Sequence, residues 1–342
     1  MKNMQIIIIF LALIILSILG YAGNEQLFNG KTIKMIVTNA PGGGYDTYAR
    51  MIRPFLEKNL PGCKVLVDNI GGAGGEIGRN LAYIAKPDGL TICLTSGSDI
   101  VLNTIMNADK VKYDIYQWVY LARVSIESSV LTVPTNSEYS TFKDIVNSRK
   151  KLLFSPDGVG DVDYFTLALI SHIFGFDIMP ITGYTGSKEA SMSAIRGEVD
   201  LYQSGIGTVL PLIQNGDVKP VLFYGTERDP RIPWVPTILE LINDEQYKLD
   251  EIDKKIIKAV IEVDEVRRVL LAPPGLDEKT THILREAIYK ALNDPELIEI
   301  SKKINRPIVY FGGEEIAQLI KDVMEIKDLV QPILENALKL AE

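Results

Sequence analysis

Cysteine and histidine are scarce in this chain, whose 342 residues include two of each. Two cysteines are too few for a metal site built from cysteine alone. Cys63 and Cys93 each border or lie within a strand-like run, so we expect two buried thiols, with a disulfide as the alternative in an oxidising compartment. His172 and His282 lie far apart in helical patterns, which favours packing or surface roles. The sequence therefore predicts no metal site and no cofactor.

Catalytic signatures are missing as well. The patterns G-x-S-x-G, H-E-x-x-H and G-x-x-x-x-G-K-[ST] do not occur, and neither histidine has the local signature of a catalytic triad. Asp157, Asp161 and Asp163 loosely suggest a calcium loop, but Gly158 and Gly160 are misplaced for an EF-hand and no Glu closes it. We therefore expect a protein that is not an enzyme, with an α/β enzyme of unknown reaction as an alternative.

Positive charge is in short supply. The chain has 36 Lys and Arg against 44 Asp and Glu, a net charge of −8. An acidic chain lacks the counterion release that drives nucleic-acid binding, so nucleic acid is not an expected partner. A small anion is not excluded, because a local site can be positive on a negative protein.

Long apolar runs are confined to the N-terminus. Lys2 precedes the apolar stretch Ile6–Leu19, and Gly20-Tyr21-Ala22 offers small residues where a signal peptidase cleaves. This pattern predicts an export signal over residues 1–23, with an uncleaved anchor as the alternative. We expect an exported chain, periplasmic or otherwise extracytoplasmic. An uncleaved N-terminal segment would tether it to the membrane.

The length exceeds what one hydrophobic core normally supports, so two lobes are expected. Strand-like and helix-like stretches alternate from about residue 32, and a second alternating series begins near Val119. This rhythm predicts mainly parallel sheets flanked by helices. The predicted strands are Ile33–Ala40, Lys64–Asp68, Leu90–Thr95, Val119–Val124, Ser129–Val133, Leu152–Ser155, Ile178–Thr182, Val199–Gln203, Pro220–Tyr224 and Val269–Ala272; the predicted helices include Asp46–Leu60, Ile77–Ala85, Thr141–Arg149, Val162–Phe174, Ser187–Arg196 and Thr208–Gln214.

Two glycine-rich loops carry the strongest functional signal. Residues 40–47 (APGGGYDT) follow the first predicted strand, and residues 69–75 (NIGGAGG) follow the second. Both loops should emerge at the carboxyl edge of a parallel sheet, where open α/β folds bind ligands. Glycines expose backbone N–H groups, and the helices that follow turn their positive dipole ends to the same space. The pattern predicts an anion site that needs no lysine or arginine.

The residues around these glycines resemble the substrate-binding receptors of tripartite tricarboxylate transporters, the Bug family. The resemblance runs in order through nearly all of the mature chain: Ile36–Arg50, Val67–Gly78, Pro87–Thr91, Tyr113-Asp114, Ser155–Gly160, Tyr184–Gly186, Gly197–Asp200, Leu210-Pro211, Pro236-Thr237, Leu271–Gly275 and Phe311–Glu315. It implies a Venus-flytrap fold of the periplasmic binding protein type II class, with two α/β lobes joined by a hinge. The division we predict is residues 24–122 and 225–342 in the first lobe and residues 123–224 in the second.

The resemblance also implies a function: capture of a small di- or tricarboxylate or other organic acid, and its delivery to a permease of one large and one small membrane subunit. A monomer is expected. A receptor that presents the same ligand to a membrane sensor kinase is the alternative, which sequence does not separate from transport.

Family positions carried over to this chain define a predicted ligand site. In such receptors the first-lobe loops hold a carboxylate through backbone groups and ordered waters, and the second lobe tests the rest of the ligand. Asp46 and Asp161 have the alternative role of helix N-caps. The predicted ligand-binding residues are Ala40, Gly43, Asp46, Thr47, Gly74, Gly75, Ser96 and Gly97 in the first lobe and Ser155, Gly160, Asp161, Tyr184 and Ser204 in the second.

Several positions depart from the family pattern. Ile70-Gly71 stands where members usually have Arg-Pro, and Gly183 stands where a Pro precedes the Tyr-x-Gly turn. Tyr164 takes the place of a His near the second-lobe glycine loop. A helical insert around Leu249–Val266 replaces an aromatic stretch. Because of these departures, the resemblance does not indicate which carboxylate this chain binds.

Overall fold

A computed structural model describes residues 27–184 and 186–340. The predicted export signal and Thr185 lie outside the described residues. The strands are β1 (Thr32–Val37), β2 (Lys64–Asn69), β3 (Thr91–Thr95), β4 (Val119–Ser125), β5 (Ser129–Pro134), β6 (Leu152–Ser155), β7 (Ile178–Pro180), β8 (Leu201–Gly205), β9 (Val218–Phe223), β10 (Arg268–Ala272) and β11 (Phe311–Gly312).

Helices follow most of the strands. They are α1 (Gly44–Asn59), α2 (Glu76–Tyr83), α3 (Gly97–Ile105), α4 (Phe142–Val146), α5 (Val162–Phe174), α6 (Ser187–Ile195), α7 (Ile206–Asn215), α8 (Ile238–Ile242), α9 (Glu251–Glu265), α10 (Glu278–Leu292), α11 (Pro295–Lys303), α12 (Gly313–Met324) and α13 (Lys327–Lys339). Short 3₁₀ turns occupy Ala73–Gly75 and Glu245–Tyr247.

The first sheet has the strand order β11-β4-β10-β3-β1-β2. Strand β1 pairs in parallel with β2 and β3, so that Val37 lies opposite both Asn69 and Leu94. Strand β10 runs antiparallel to both β3 and β4 and lies between them. Strands β1 to β4 therefore all point the same way, and their carboxyl ends share one edge.

The second sheet has the order β7-β6-β8-β5-β9. Strand β6 pairs in parallel with β7 and β8, whereas β5 runs antiparallel to β8 and β9. Strands β6 to β9 thus share one direction and β5 opposes them. Both sheets are mainly parallel in direction, as the sequence predicted.

The chain passes from the first sheet to the second between Ser125 and Ser129 and returns after Phe223. Because each sheet has its own flanking helices, the molecule is a two-lobed α/β protein, and the predicted fold class is confirmed.

Local sequence explains most of these elements. In α1 the predicted face of Tyr48, Ile52, Phe55 and Leu56 is buried. Helices α4 and α8 each begin at a capping box, with Thr141 and Thr237 as N-caps. Helix α5 ends at Gly175, which adopts the left-handed conformation (φ 74°) that stops helices.

The structure also shows the state of the two cysteines and whether any described helix could cross a membrane. Cys63 and Cys93 are free, buried thiols. Across residues 27–184 and 186–340, no helix has both the length and the apolar character that a membrane crossing requires.

Candidate functional site

The loop after β1 is shaped by hydrogen bonds around Asp46. The Gly42 N–H donates to Asp46 Oδ2 (2.8 Å), and Arg50 Nε donates to the same carboxylate (2.9 Å). This bonding, chiefly that from Arg50, holds the pKa of Asp46 below its ordinary value. Gly43 is the N-cap of α1, so the N-cap role predicted for Asp46 is wrong. The helix begins two residues earlier than predicted, and Asp46 fastens the loop from within the first turn.

Further bonds tie this loop to its neighbour. Thr47 Oγ1 donates to the Gly43 carbonyl (2.9 Å). Arg50 Nη2 donates to Asn69 Oδ1 (3.2 Å), and Asn69 Nδ2 donates to the Asn39 carbonyl (3.0 Å). The first loop is therefore fixed to the end of β2, while Ala40 and Gly43 remain exposed.

The loop after β2 winds through left-handed backbone. Gly72, Ala73, Gly74 and Gly75 have φ of 102°, 51°, 68° and 88°. A Cβ on Gly75 would lie 3.1 Å from the Thr38 carbonyl oxygen and 3.0 Å from Arg79 Nη1, so a side chain here would strain the backbone and press on both neighbours. Gly74 is exposed and Gly75 is buried beside it.

Beneath this loop lies Arg79, which the sequence analysis missed. Its side chain is 1% exposed, Nη2 donates to the Gly74 carbonyl (2.5 Å), and Nη1 donates to Thr95 Oγ1 (3.1 Å). Glu76 forms an ion pair with it at 2.8 Å, and Asp99 Oδ2 lies 3.6 Å away. The spacing Glu76-x-x-Arg79 on one face of a helix was the available signal. The predicted anion site, which we expected to need no lysine or arginine, has an arginine directly below its second loop.

The loop after β3 leads into a third helix N-terminus. Ser96 Oγ accepts a hydrogen bond from the Asp99 N–H (3.1 Å) and caps α3. Gly97 is buried, and a Cβ there would lie 2.4 Å from the Val266 carbonyl oxygen. Gly97 therefore serves close packing, whereas Ser96 sits at the carboxyl end of β3 as predicted.

The second lobe presents the loop between β6 and α5. Asp161 Oδ1 accepts from the Tyr164 N–H (2.7 Å) and caps α5, which is the alternative role foreseen for it. Asp157 lies in the same loop, within 3.4 Å of Ser204 Oγ and 3.5 Å of the Tyr202 hydroxyl. Ser204 belongs to the end of β8, so two strands deliver polar groups to one place.

The other predicted second-lobe residues are buried or half-buried. Ser155 is fully buried and its hydroxyl donates to the Ala190 carbonyl (3.0 Å). Gly160 is buried against the Phe165 ring, and Tyr184 is half-buried. Tyr164 is 1% exposed and its hydroxyl donates to the Ala337 carbonyl on α13 (2.6 Å), so its side chain packs away from the loop.

The two lobes meet around buried charges that sequence reasoning did not find. Arg267 Nη2 lies 2.6 Å from Asp163 in α5, and Arg267 Nη1 lies 3.0 Å from Asp264 in α9. Ser129 Oγ, at the start of β5, donates to Asp163 Oδ1 (2.7 Å). The Tyr45 hydroxyl donates to the Arg267 carbonyl (2.8 Å). One arginine thus connects the first loop with both lobes.

A second charge cluster centres on Glu127 in the crossing segment. Its carboxylate contacts Arg268, lies 3.0 Å from Arg306 Nη1, and accepts from the Gly207 N–H in α7 (2.8 Å). Burial opposes ionisation, but Arg268 and Arg306 lower the pKa of Glu127 below its ordinary value. The Arg268 guanidinium lies over the rings of Tyr45 and Tyr48 (4.9 and 5.0 Å).

Acidic groups of the two lobes interact electrostatically where their helices meet. Helices α3 and α5 contact each other, and Asp99, in the first turn of α3, acts electrostatically on Asp161. Burial raises the pKa of Asp157 to about 8, and burial together with Asp163 and Asp157 raises the pKa of Asp161 well above its ordinary range. In the part of the chain that the structure describes, no three acidic, His or Cys side chains are grouped to hold a metal ion.

Helix N-termini at the carboxyl ends of β1, β2, β3 and β6, on two lobes with a crossing segment between them, give this chain the fold of the periplasmic binding proteins. The model of the tripartite tricarboxylate transporter family receptors matches residues 48–334. The chain belongs to this family.

Individual relatives are distant. The chain is 25% identical to protein BugT of Bordetella pertussis over 281 residues, which is 81% of each chain. Its fold is similar to MatC of Rhodopseudomonas palustris with bound malate (TM-score 0.69, 21% identity, 89% and 99% of the two chains covered). It is also similar to an R. palustris protein with adipate (TM-score 0.72, 17% identity, 89% and 97% covered).

Proposed function

We propose that this chain is an exported receptor that binds a small organic acid, catalyses no reaction, and delivers the acid to a permease of one large and one small membrane subunit. The observation that carries the proposal is the glycine loops and helix N-termini gathered at the carboxyl ends of β1, β2 and β3. Backbone N–H groups with a positive dipole end favour a carboxylate. Family membership supports the same function.

In this proposal the first lobe holds the ligand carboxylate. Ala40 and Gly43 of the first loop and Gly74 of the second are exposed, so their backbone is accessible to a ligand. Asp46 and Thr47 shape the first loop, and Arg79 holds the second loop from below through the Gly74 carbonyl. The solved proteins of similar fold with malate and adipate support a carboxylate ligand.

The second lobe then closes over the ligand and tests its remaining groups. We assign residues 24–122 and 225–342 to the first lobe and residues 123–224 to the second. The membership of the strands in the two sheets supports this division with its first boundary moved to Ser125, where β4 ends. Asp161 and Ser204 are presented by the second lobe at the ends of β6 and β8. The receptor acts as a monomer outside the cytoplasm.

A thermal-shift screen tests the binding function. We expect the purified mature protein to gain apparent stability with one or more members of an organic-acid panel, because a ligand that binds only the folded state raises its stability. Sugars and divalent cations serve as comparison ligands. If a sugar or cation stabilises the protein and no carboxylate does, the proposed function is wrong.

A further inference from the structure

Arg79 joins the second glycine loop to the end of strand β3. Its Nη2 atom donates to the Gly74 carbonyl (2.5 Å), and its Nη1 atom donates to Thr95 Oγ1 (3.1 Å). The side chain is 1% exposed, so it lies below the loop and is not itself available to a ligand. A guanidinium can make both bonds because its terminal nitrogens hold a fixed, planar fork.

Two buried hydroxyl groups continue from Thr95 toward the first glycine loop, and we call this pair the hydroxyl relay. The Oγ1 atoms of Thr95 and Thr38 lie 2.9 Å apart, and the Thr38 hydroxyl donates to Asn39 Oδ1 (3.3 Å). Because that bond uses the single proton of the Thr38 hydroxyl, Thr95 is the donor to Thr38. Each hydroxyl therefore accepts one hydrogen bond and donates the next, and bonds aligned in this way strengthen one another.

The hydroxyl relay ends directly before the first glycine loop. The Asn39 carbonyl accepts from Asn69 Nδ2 (3.0 Å), and Asn69 Oδ1 accepts from Arg50 Nη2 (3.2 Å). Arg50 also donates to Asp46, the residue that fastens the first loop (2.9 Å). The two glycine loops are thus linked by a continuous set of contacts that starts at one buried guanidinium.

Glu76 fixes that guanidinium in turn. Its Oε1 atom accepts from Arg79 Nη2 (2.8 Å), from Asn103 Nδ2 (2.9 Å) and from the Tyr113 hydroxyl (3.2 Å). All four side chains are buried. The arginine is therefore held in one orientation from both ends of its contacts.

The second loop needs such support because its backbone is strained. Gly72, Ala73 and Gly74 all have positive φ, and Ala73 (51°) has it although it carries a Cβ. Strained backbone persists only where the surrounding structure determines it. A buried ion pair adds little net stability compared with apolar side chains of the same size. Arg79 is therefore better explained by the loop arrangement that it enforces than by stability alone.

We propose that Arg79 is a positioning residue of the ligand site, which fixes the two glycine loops relative to each other through Gly74 and the hydroxyl relay. The inference rests on the proposed function, in which both loops hold one carboxylate. Loops that are fixed before binding lose less conformational freedom when the ligand arrives. Affinity should therefore depend on the forked shape of the guanidinium as well as on its charge.

Amide hydrogen exchange of the ligand-free mature protein, followed by NMR, tests the link between the loops. The reporters are the N–H groups of Gly42 and Gly75, each hydrogen-bonded within its own loop (2.8 and 2.9 Å). Arg79→Lys keeps the charge and loses the fork, whereas Thr95→Val replaces a relay hydroxyl by a methyl group. We expect Arg79→Lys to speed exchange at both reporters, and Thr95→Val to speed it at Gly42, by about tenfold or more.

Thr132→Val is the matched control. Thr132, like Thr95, is a fully buried strand residue, and its hydroxyl donates to the Tyr202 carbonyl in the second sheet (2.9 Å). Its replacement should leave the exchange at both reporters unchanged. The amides of β6 are the internal reference, because faster exchange there as well would report unfolding of the whole protein.

Calorimetry tests the consequence for binding. The organic-acid panel includes malate, succinate, adipate and citrate, and the probe is the member that binds the wild-type protein most tightly. We expect Arg79→Lys and Thr95→Val to bind this acid about tenfold or more weakly. Thr132→Val should bind it with unchanged affinity.

The outcomes separate the two proposals. Wild-type exchange at Gly42 in both Arg79→Lys and Thr95→Val, or wild-type affinity in both, would overturn the inference while the carboxylate receptor stands. If the wild-type protein binds no acid of the panel, the proposed function itself fails, and the inference with it.

Discussion

At the residue scale, Arg267 links the two lobes through buried ion pairs. Its guanidinium is buried (8% exposed) and joins Asp163 of α5 to Asp264 of α9. Removing one member of a buried ion network leaves the other charges without compensation in a medium that solvates them poorly. The network therefore stabilises the contact between the two lobes at their junction.

Replacement of this arginine should be severe. We expect Arg267→Met to lower the free energy of unfolding by about 3–5 kcal/mol, since Asp163 and Asp264 would stay buried without their cation. Urea denaturation followed by circular dichroism measures the loss. Arg196→Met is the control: Arg196 is half-exposed and paired with the exposed Glu198, and exposed pairs of this kind contribute little to stability. Equal effects of the two substitutions would contradict the role given to Arg267.

The raised pKa of Asp157 should make the stability of the protein depend on pH. Its pKa is raised to about 8 by burial and by Asp163, against the partial opposition of Arg267 and of the Ser204 and Tyr202 hydroxyls. The folded protein therefore keeps a proton that the unfolded chain, with an aspartate pKa of about 3.9, has released. The stability from this group is present at low pH and is lost as pH rises toward 8.

The Asp157→Asn variant has no carboxyl group at this position, so its stability should not fall in this way as pH rises. We expect the variant to gain stability relative to the wild-type protein between pH 5 and pH 8.5, by roughly 1–3 kcal/mol in unfolding free energy. Urea unfolding at the two pH values gives the comparison. Asp277→Asn should show no such gain, because hydrogen bonds with Thr280 lower the pKa of Asp277. A difference between wild type and Asp157→Asn that is the same at both pH values would rule out a raised pKa.

Sequence reasoning at this scale located the two glycine loops and missed the buried charged side chains. The loops were predicted from local motifs, and local motifs suffice because turn chemistry depends on neighbouring residues. Arg267 was missed because its partner Asp163 lies 104 residues away in the sequence. Pairing over that separation is decided by how the strands assemble, which no local pattern records.

At the element scale, the second glycine loop has conformational requirements that an experiment can isolate. Gly75 has a φ of 88° and almost no space for a side chain, with the Thr38 carbonyl oxygen 3.1 Å from a Cβ position. Gly216, the C-cap of α7, has a similar φ of 77° with open space around it. The two glycines share the backbone conformation and differ in what surrounds them.

Gly75→Ala should therefore damage binding, and Gly216→Ala should not. Both variants carry the left-handed strain of about 1–2 kcal/mol, but only the first also pushes against Thr38 and Arg79 and displaces the loop. We expect Gly75→Ala to weaken the binding of a carboxylate that stabilises the wild-type protein by about tenfold or more, measured by calorimetry. Equal affinities of the two variants would show that this loop does not hold the ligand.

The elements themselves were predictable to different degrees. Strand β6 and helix α5 have the predicted bounds, Leu152–Ser155 and Val162–Phe174. Helix α3 was not predicted, because most of its residues are buried and it shows no polar face that would mark a helical period. The place of β10 between β3 and β4 also escaped prediction, since β10 begins 143 positions after the end of β4, at Arg268 and Ser125.

At the scale of the whole molecule, the crossing segment is the place about which we expect one lobe to rotate against the other. Glu127 lies in that segment and contacts Arg268 and Arg306 as well as the N–H of Gly207 at the start of α7. We expect closure to consist of rotation of the second lobe about this segment, with the charge cluster as the fixed point. A ligand held by loops of one lobe and polar groups of the other would favour the closed form.

The most direct test of the carboxylate-receptor account is a crystal structure of the mature protein with a carboxylate that stabilises it. The account predicts a carboxylate oxygen within hydrogen-bond distance of backbone N–H groups in the loops at residues 40–44 and 72–75, with the second lobe closed over the ligand. A ligand bound elsewhere, or bound in these loops through a group other than its carboxylate, would contradict it.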